Sequence, residues 1–418
     1  MHNLSRLRGF QELTSVDNAL QKLLSAVEFT LKKTRVPLLN AQNRVLSTKI
    51  IANTDLPRAD RSAVDGYALK SEKTLGATQT KPKIFRLTRE NVSDSNQAKK
   101  ISTGNNVPHS ADAVVMLENT KLVGDKVEVW SPVARWENVS RKGEDLKKGD
   151  IAIEDRIRLK PHHLGLIAAL GVSEVEVYKK PIIAVLATGN ELVKLGERIK
   201  DNQVYDSNRI VLTALCKELG VEIMDLGIVG DDAVEIEKKL KNAFEEADGI
   251  ITSGGTSVGA PDLVPQVVQW LGKPGILVHG IAMRPGMPTA LASVGKKPIV
   301  LLPGNPVAAM LSFEVFCRPL ICRMLGLKST ESRPVIMAKM KRKITTTLGR
   351  MNFVRVRVTR VKDEFVAEPI SARGSSLFST MTSSNGYVIV PEDQEGLAEE
   401  DVVAVHVFDE LKVMELDV

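Results

Sequence analysis

Four short loops hold most of the residues in this chain that could do chemistry. They read TGNE (188–191), GIVGDD (227–232), SGGTSVGAPD (253–262) and LPGNP (302–306). Glycine lets a backbone approach a phosphate closely and take φ > 0. SGGTSVG offers three glycines, Gly254, Gly255 and Gly259, with the hydroxyls of Ser253, Thr256 and Ser257. It is neither a Walker loop, since no Gly-Lys-Ser/Thr occurs, nor a G-x-G-x-x-G fingerprint. Carboxylates accompany the glycines: Glu191, Asp231 and Asp262 in these loops, and Asp65 (AVDGY) and Asp145 (GEDLKKGD) earlier in the chain. An Asp beside Gly also forms plain turns, so no single one is diagnostic. Their grouping is what matters. Hard carboxylate oxygens next to a phosphate cradle are what Mg²⁺ bridging to phosphate requires, which points to phosphoryl or nucleotidyl chemistry.

The elements that must position these loops follow from periodicity. Apolar runs at 181–189, 221–229, 249–255 and 297–306 alternate with helix-like stretches. Such runs are the pattern of parallel strands buried on both faces, so a doubly wound sheet is expected over about 181–325. In an open parallel sheet, ligands bind beyond the carboxyl ends of the strands, where these loops lie. Upstream, residues 15–31 show helical spacing behind Ser15, and Val45 to Trp136 breaks into short segments between turn signals, the mark of a β-rich unit. A short helix is expected in PHHLGLIAALG (161–171), and its double histidine has no partner ligand nearby. Residues 326–334 read as a linker. Beyond them, Val354, Val356 and Val358 alternate with Arg355, Arg357 and Arg360, and YVIVPE and VVAVHVF complete a small β-domain. The fold class is α/β and β, multidomain.

Composition narrows the function classes. With 43% hydrophobic and 26% charged residues over 418 positions, wholesale disorder is excluded. A net charge of +6 is too small for a dedicated nucleic-acid coat. The basic stretch from Val335 to Lys362 has only Phe353 as an interleaved aromatic. Three cysteines cannot build a disulfide framework or a four-thiolate zinc site. No apolar run nears the roughly 20 residues of a membrane span, and MHNLSRLRGF lacks the apolar core of a signal peptide. The expectation is a soluble cytoplasmic protein with neither nucleic acid nor membrane as partner.

Read in order, the motifs resemble one family. DLPRADRSAVDGYAL, ISTGNNVPHSADAVVMLEN and RKGEDLKKGD, followed by ATGNELV, VYDSN, SGGTSVGAPD, MRPGMP, LPGNP, FVRVRV and GSSLFSTMTSSNGYVIVP, are similar to the molybdenum-insertase (MoeA, or gephyrin E-domain) family from about residue 10 to 410. The resemblance implies molybdenum cofactor biosynthesis. Molybdate is inserted into adenylylated molybdopterin with Mg²⁺-dependent release of AMP, tungstate being an equally sized alternative to molybdate. It assigns Asp65, Thr103, Asp145, Glu191, Asp231 and Asp262 to catalysis, with Glu191, Asp231 and Asp262 as Mg²⁺ candidates. Ser253, Gly254, Gly255, Thr256, Ser257, Gly259, Pro303, Gly304, Asn305 and Pro306 would hold the pterin phosphate, and Arg284, Pro285, Arg355 and Ser384 the molybdate. Two departures stand out. The family's xKPGKP reads here Met283 to Pro288 with Met287 uncharged, and TGDE reads TGNE, which removes residue 190 as a charged ligand.

The implied architecture is an N-terminal region over 1–178 with a β-rich insert near 54–142, a molybdopterin-binding domain over 179–328 and a β-domain over 332–411. A homodimer with shared sites is implied as well. Two other functions are compatible with parts of the pattern: a molybdopterin adenylyltransferase, which shares the central domain, and a non-catalytic scaffold on the same fold.

Overall fold

A computed structural model describes residues 12–89, 92, 94–255, 263–370 and 376–413. By contact the chain divides into a smaller body, residues 35–42 and 46–177, and a larger one with 12–34, 43–45 and the described residues from 178 onward.

In the smaller body, six strands pair in the spatial order Ala113–Met116, Gly66–Leu69, Gln97–Ile101, Lys83–Leu87, Lys126–Val129 and Thr120–Val123. Tyr67 and Leu69 enter a core with Phe85, Val115 and Val127, while Ala68 faces a second cluster with Ile101 and Val114. That alternation is the period of two expected of a strand covered on both sides. Gly66 is required by space: a Cβ there would stand 1.9 Å from the Val115 carbonyl oxygen. A helix at Pro161–Ala169 begins with Pro161 and gives way to Gly171 at φ +78°. His163 accepts the Lys160 N–H through Nδ1 at 3.0 Å, so one of the paired histidines closes the helix start.

The larger body opens with α1 (Val16–Ala26). The 15–31 periodicity overestimates this helix. The Ser15 hydroxyl makes no capping bond, and Val27 is already extended. The chain leaves the helix because its backbone is taken up elsewhere: Ser293 Oγ donates to the Ala26 carbonyl at 3.0 Å and the Glu28 N–H to the Lys296 carbonyl at 3.2 Å. Val16, Ala19 and Leu23 bury in the cluster beneath the central sheet, so by contact this helix groups with the central sheet although it lies within 1–178.

The central strands are β1 (Ile182–Thr188), β2 (Glu222–Val229), β3 (Gly249–Ser253), β4 (Pro274–His279), β5 (Met283–Arg284), β6 (Ala290–Val294) and β7 (Lys297–Leu302). Between them lie α2 (Asn208–Leu219), α3 (Ala233–Glu246) and α4 (Leu263–Leu271), and after them α5 (Pro306–Ser312), a π-helical turn (Phe313–Cys317) and α6 (Arg318–Met324). The sheet runs β2-β1-β3-β7-β6-β4; the first four strands are parallel, β6 runs antiparallel to β7, and β4 antiparallel to β6. β1 shows why its run is continuously apolar. Ile183 and Val185 enter one cluster with residues of α2, α5 and α6, while Ala184 and Leu186 enter the other with α3 and α4. Asp232 caps α3, its carboxylate accepting the N–H groups of Val234 and Glu235 at 2.8 and 3.2 Å. The three cysteines are buried, and burial pushes the Cys216 thiol up to about 12.

The C-terminal strands are β8 (Val335–Met340), β9 (Met351–Val361), β10 (Glu364–Pro369), β11 (Gly386–Val390) and β12 (Val402–Val407). They pair β9-β10-β8-β12-β11, and β11 pairs with β9 again, closing a barrel. β5 adds to the outside of β9 in parallel, Met283 opposite Met351 and Arg284 opposite Asn352. The segment expected to be a linker carries an anchor. Arg333 and Arg318 both grip Glu314, at 2.8 and 2.6 Å, and both reach Glu218, at 2.7 and 3.3 Å. Burial opposes ionisation of Glu314, yet the hydrogen bonds from the two guanidinium groups override it and hold the carboxyl below its usual value.

Removing that carboxylate leaves two mostly buried cations with only the half-exposed Glu218 between them. Glu314→Gln should lower stability by about 3–5 kcal/mol in urea unfolding at neutral pH. A group with a depressed folded pKa stabilises above its unfolded pKa and loses that contribution as pH falls through the folded one. The gap between variant and wild type should therefore persist at neutral pH and close only below the ordinary Glu value of about 4.3.

Candidate active site

β1, β2, β3 and β7 are neighbours and parallel, so the loops that follow them open on one edge. Two asparagines fasten these loops together. Asn190 accepts the Asp231 N–H at 2.9 Å through Oδ1, and its own N–H points to Asp231 Oδ2 at 3.4 Å. Residue 190 thus acts as a staple between the Glu191 loop and the Asp231 loop. Asn208, the first residue of α2, donates through Nδ2 to Ser253 Oγ and to the Gly304 carbonyl, both at 2.8 Å. Ser253 Oγ in turn lies 3.4 Å from the Pro303 carbonyl. The sequence marks Asn208 only as the last letter of VYDSN; its structural role could not be read there, because the partners are distant in sequence.

Glycine is needed where the loops meet. A Cβ on Gly254, at φ +94°, would stand 2.2 Å from the Thr188 carbonyl oxygen, and one on Gly255, at φ +66°, 2.6 Å from Val264 Cγ2. Glu191 and Asp231 are exposed on this edge. Thr256, Ser257, Gly259 and Asp262 lie outside the described residues.

In the smaller body, Asp65 and Thr103 do come together. Asp65 Oδ1 accepts the Thr103 N–H at 2.7 Å and its hydroxyl at 3.2 Å. Asp145 is exposed, with its N–H bonded to the Leu56 carbonyl at 3.1 Å.

A cavity of about 450 Å³ opens where the 283–288 turn, the LPGNP loop and the first residues of β9 converge. The Arg284–Pro285 peptide in that turn is cis. Among the described residues, Pro285, Met287, Pro303 and Asn305 line the cavity, and so do the arginines Arg284, Arg350 and Arg355, with no carboxylate beside them. Arg284 is exposed and donates through Nη1 to Thr347 Oγ1 at 2.5 Å. Arg355 is different. It is only 2% exposed, its Nε has no hydrogen-bond partner among the described residues, and burial holds its guanidinium below the ordinary value. The alternation Val354/Arg355/Val356 would put Arg355 in solvent with Arg357. Instead the start of β9 is covered on both sides, by the barrel interior and by the central domain that lends it β5. A buried donor without a partner is costly, and the three guanidinium groups give this wall a positive charge that suits an anion.

Ser384, also expected at the oxyanion, is 3% exposed; its hydroxyl donates to the carbonyls of Thr380 and Met381 at 2.8 and 3.1 Å, just past a short helical turn, and it is not among the described residues that line the cavity. Arg350, which lines it, is one of nine Lys/Arg between Val335 and Lys362 and carries no motif that singles it out.

Three family models match in succession: MoeA N-terminal region (domain I and II) over 14–171, probable molybdopterin binding domain over 184–323, and MoeA C-terminal region (domain IV) over 337–408. The molybdopterin molybdenumtransferase of Haemophilus influenzae is 31% identical over 404 residues, covering 96% of this chain and all of its own. Molybdopterin molybdenumtransferase 2 of Mycobacterium tuberculosis is 33% identical, covering 89% and 94%. The crystal structure of a molybdopterin biosynthesis moeA protein from Pyrococcus horikoshii superimposes with a TM-score of 0.82 at 28% identity, over 95% of this chain and all of that one.

The loop packing predicts a contrast between two glycines. Gly254→Ala should cost about 1–3 kcal/mol of backbone strain plus the clash with Thr188, seen as a lowered unfolding midpoint. Gly304→Ala should stay within about 0.5 kcal/mol, since its Cβ would meet nothing nearer than the Gly254 Cα at 3.8 Å.

Proposed function

The chain belongs to the molybdopterin molybdenumtransferase family, and on that premise we propose that it inserts molybdate into adenylylated molybdopterin and releases AMP. One observation carries this reading: among the described residues the pocket is lined by three arginines and no carboxylate, one guanidinium being buried with an unpartnered Nε. A tetrahedral dianion such as molybdate, or tungstate, supplies the acceptors that those donors lack. Arg284 and Arg355 hold it, with Pro285 shaping the wall. The LPGNP loop lines this pocket through Pro303 and Asn305 and is also tied to the SGG loop by Asn208. An anion in the pocket and a pterin phosphate on the Gly/Ser loops would therefore be neighbours.

Glu191 and Asp231 carry the proposed Mg²⁺ site, with Asp262 as the third candidate. Among the described residues no group of three acidic, His or Cys side chains could hold a metal ion. Two exposed carboxylates on stapled loops still suit Mg²⁺, which uses one or two carboxylates and takes its other oxygens from water and substrate phosphate. When bound, the ion would neutralise charge on the phosphate oxygens as the pyrophosphate link breaks. The protein's own part is to hold together, through Asn190, the loops that carry the two carboxylates, and to set the phosphate against backbone N–H groups. By family resemblance Asp65, Thr103 and Asp145 of one subunit of a homodimer complete the site of the other. An adenylyltransferase made of the central domain alone would need neither the region matched at 14–171 nor that at 337–408.

The direct test is AMP release from adenylylated molybdopterin on addition of molybdate. Asp231→Asn should fold normally and slow release by about 10²–10⁴-fold, a typical size for loss of a charged group that acts in the transition state. Near-normal turnover would remove Asp231 from the reaction. The shared site has its own test. Mixing inactive Asp65→Ala with inactive Asp231→Ala should restore activity after subunit exchange, because each mixed dimer then holds one site with both carboxylates. No recovery after proven exchange would place both in one chain.

A further inference from the structure

A pocket for a dianion gains little from Arg284 alone, which is exposed and shares its guanidinium with Thr347. Residue 287 lines the same wall and, as a methionine, brings no charge. Arg350 faces the pocket from another element. It is half-buried, and among the described residues its guanidinium forms no hydrogen bond or ion pair. Its backbone is fixed in an unusual way. Asn352, 4% exposed, donates through Nδ2 to the carbonyls of Thr347 and Arg350 at 3.0 and 2.6 Å, and Gly349 turns the chain at φ +74°. Asn352 is also the residue paired with Arg284 across the β5–β9 register. The same side chain therefore sets the turn that carries Arg350, on the strand that sits beside Arg284.

We infer that Arg350 supplies the second adaptable positive charge to the tetrahedral oxyanion in this pocket, in place of any cation from the 283–288 turn, and that Asn352 is the positioning residue that aims it. This rests on the reading of the pocket as the molybdate site and adds to it the residue that compensates an uncharged position 287. Arg355 then provides the fixed, buried donor, and Arg284 and Arg350 close on the anion from the two sides of the β5–β9 pair.

The test is equilibrium dialysis of molybdate alone against the full-length protein, with molybdenum measured by atomic absorption at one fixed ionic strength. Arg350→Ala should raise the dissociation constant about ten- to a hundredfold, the range for losing one charge-assisted hydrogen bond. Its unfolding midpoint should not move. Arg350→Lys should keep most of the affinity, and adding Met287→Lys to Arg350→Ala should recover part of what was lost. Asn352→Ala should weaken molybdate binding while Arg350 is present and change nothing further in the Arg350→Ala background. Unchanged binding in Arg350→Ala overturns the inference. So does a loss that neither Arg350→Lys nor Met287→Lys relieves, because the residue would then act through the fold. If the wild-type protein takes up no molybdate, the reading of the pocket fails first and the inference with it.

Discussion

Two residues of backbone pairing decide where the charge of this protein collects. Met283 and Arg284 lie parallel to Met351 and Asn352, so a turn of the central domain is built onto the outside of the C-terminal barrel. Neither part makes the pocket alone. The 283–288 turn brings Arg284, Pro285 and Met287; the turn into β9 brings Arg350 and β9 itself Arg355; the helix after β7 starts from the LPGNP loop, which brings Pro303 and Asn305. The Glu314–Arg318–Arg333–Glu218 network holds the same two domains together behind this point. Such a buried network adds little net stability over an apolar contact, but breaking one member is costly, so it fixes the arrangement.

The electrostatics follow from burial. Arg357 and Arg360 on the same strand are exposed and have partners: Arg357 donates to the Ser383 carbonyl and Arg360 pairs with Asp363. Arg355 is enclosed where β9 is covered twice. A surface guanidinium attracts an anion weakly because water and salt screen it, whereas an enclosed one keeps most of its field. In the proposed reading a pterin phosphate would be met by other means, backbone N–H groups and small residues, which suit a group that has to approach closely. Asn208 ties Ser253 to the LPGNP loop, which also lines the arginine pocket.

How much of this was legible in the sequence depends on how local the cause is. The central strands were readable because Ile183/Val185 and Ala184/Leu186 must both be apolar to serve two cores. The helix at 161–171 was readable from Pro161 and Gly171. The end of α1 was not, since Ala26 and Glu28 are claimed by Ser293 and Lys296, far away in sequence. Within the candidate site, the carboxylates and glycines were named by type and spacing, and the ordered motifs pointed to the family. What sequence could not supply was burial and partnering. The period-two pattern does not distinguish the buried Arg355 from the exposed Arg357, the Ser384 hydroxyl is bonded to its own turn, and Asn190, without a charge, staples two loops. Each depends on contacts that no local pattern encodes.

In the reading we propose, the arginine pocket, and not the Gly/Ser loops, holds the metal oxyanion. Anomalous diffraction at the molybdenum absorption edge, from crystals soaked with molybdate and AMP, locates it. One molybdenum peak is expected within hydrogen-bonding reach of Arg284, Arg350 and Arg355, with the AMP phosphate elsewhere on the strand edge. A molybdenum peak against Ser253 and Gly254, or an AMP phosphate seated between the three arginines, would contradict it.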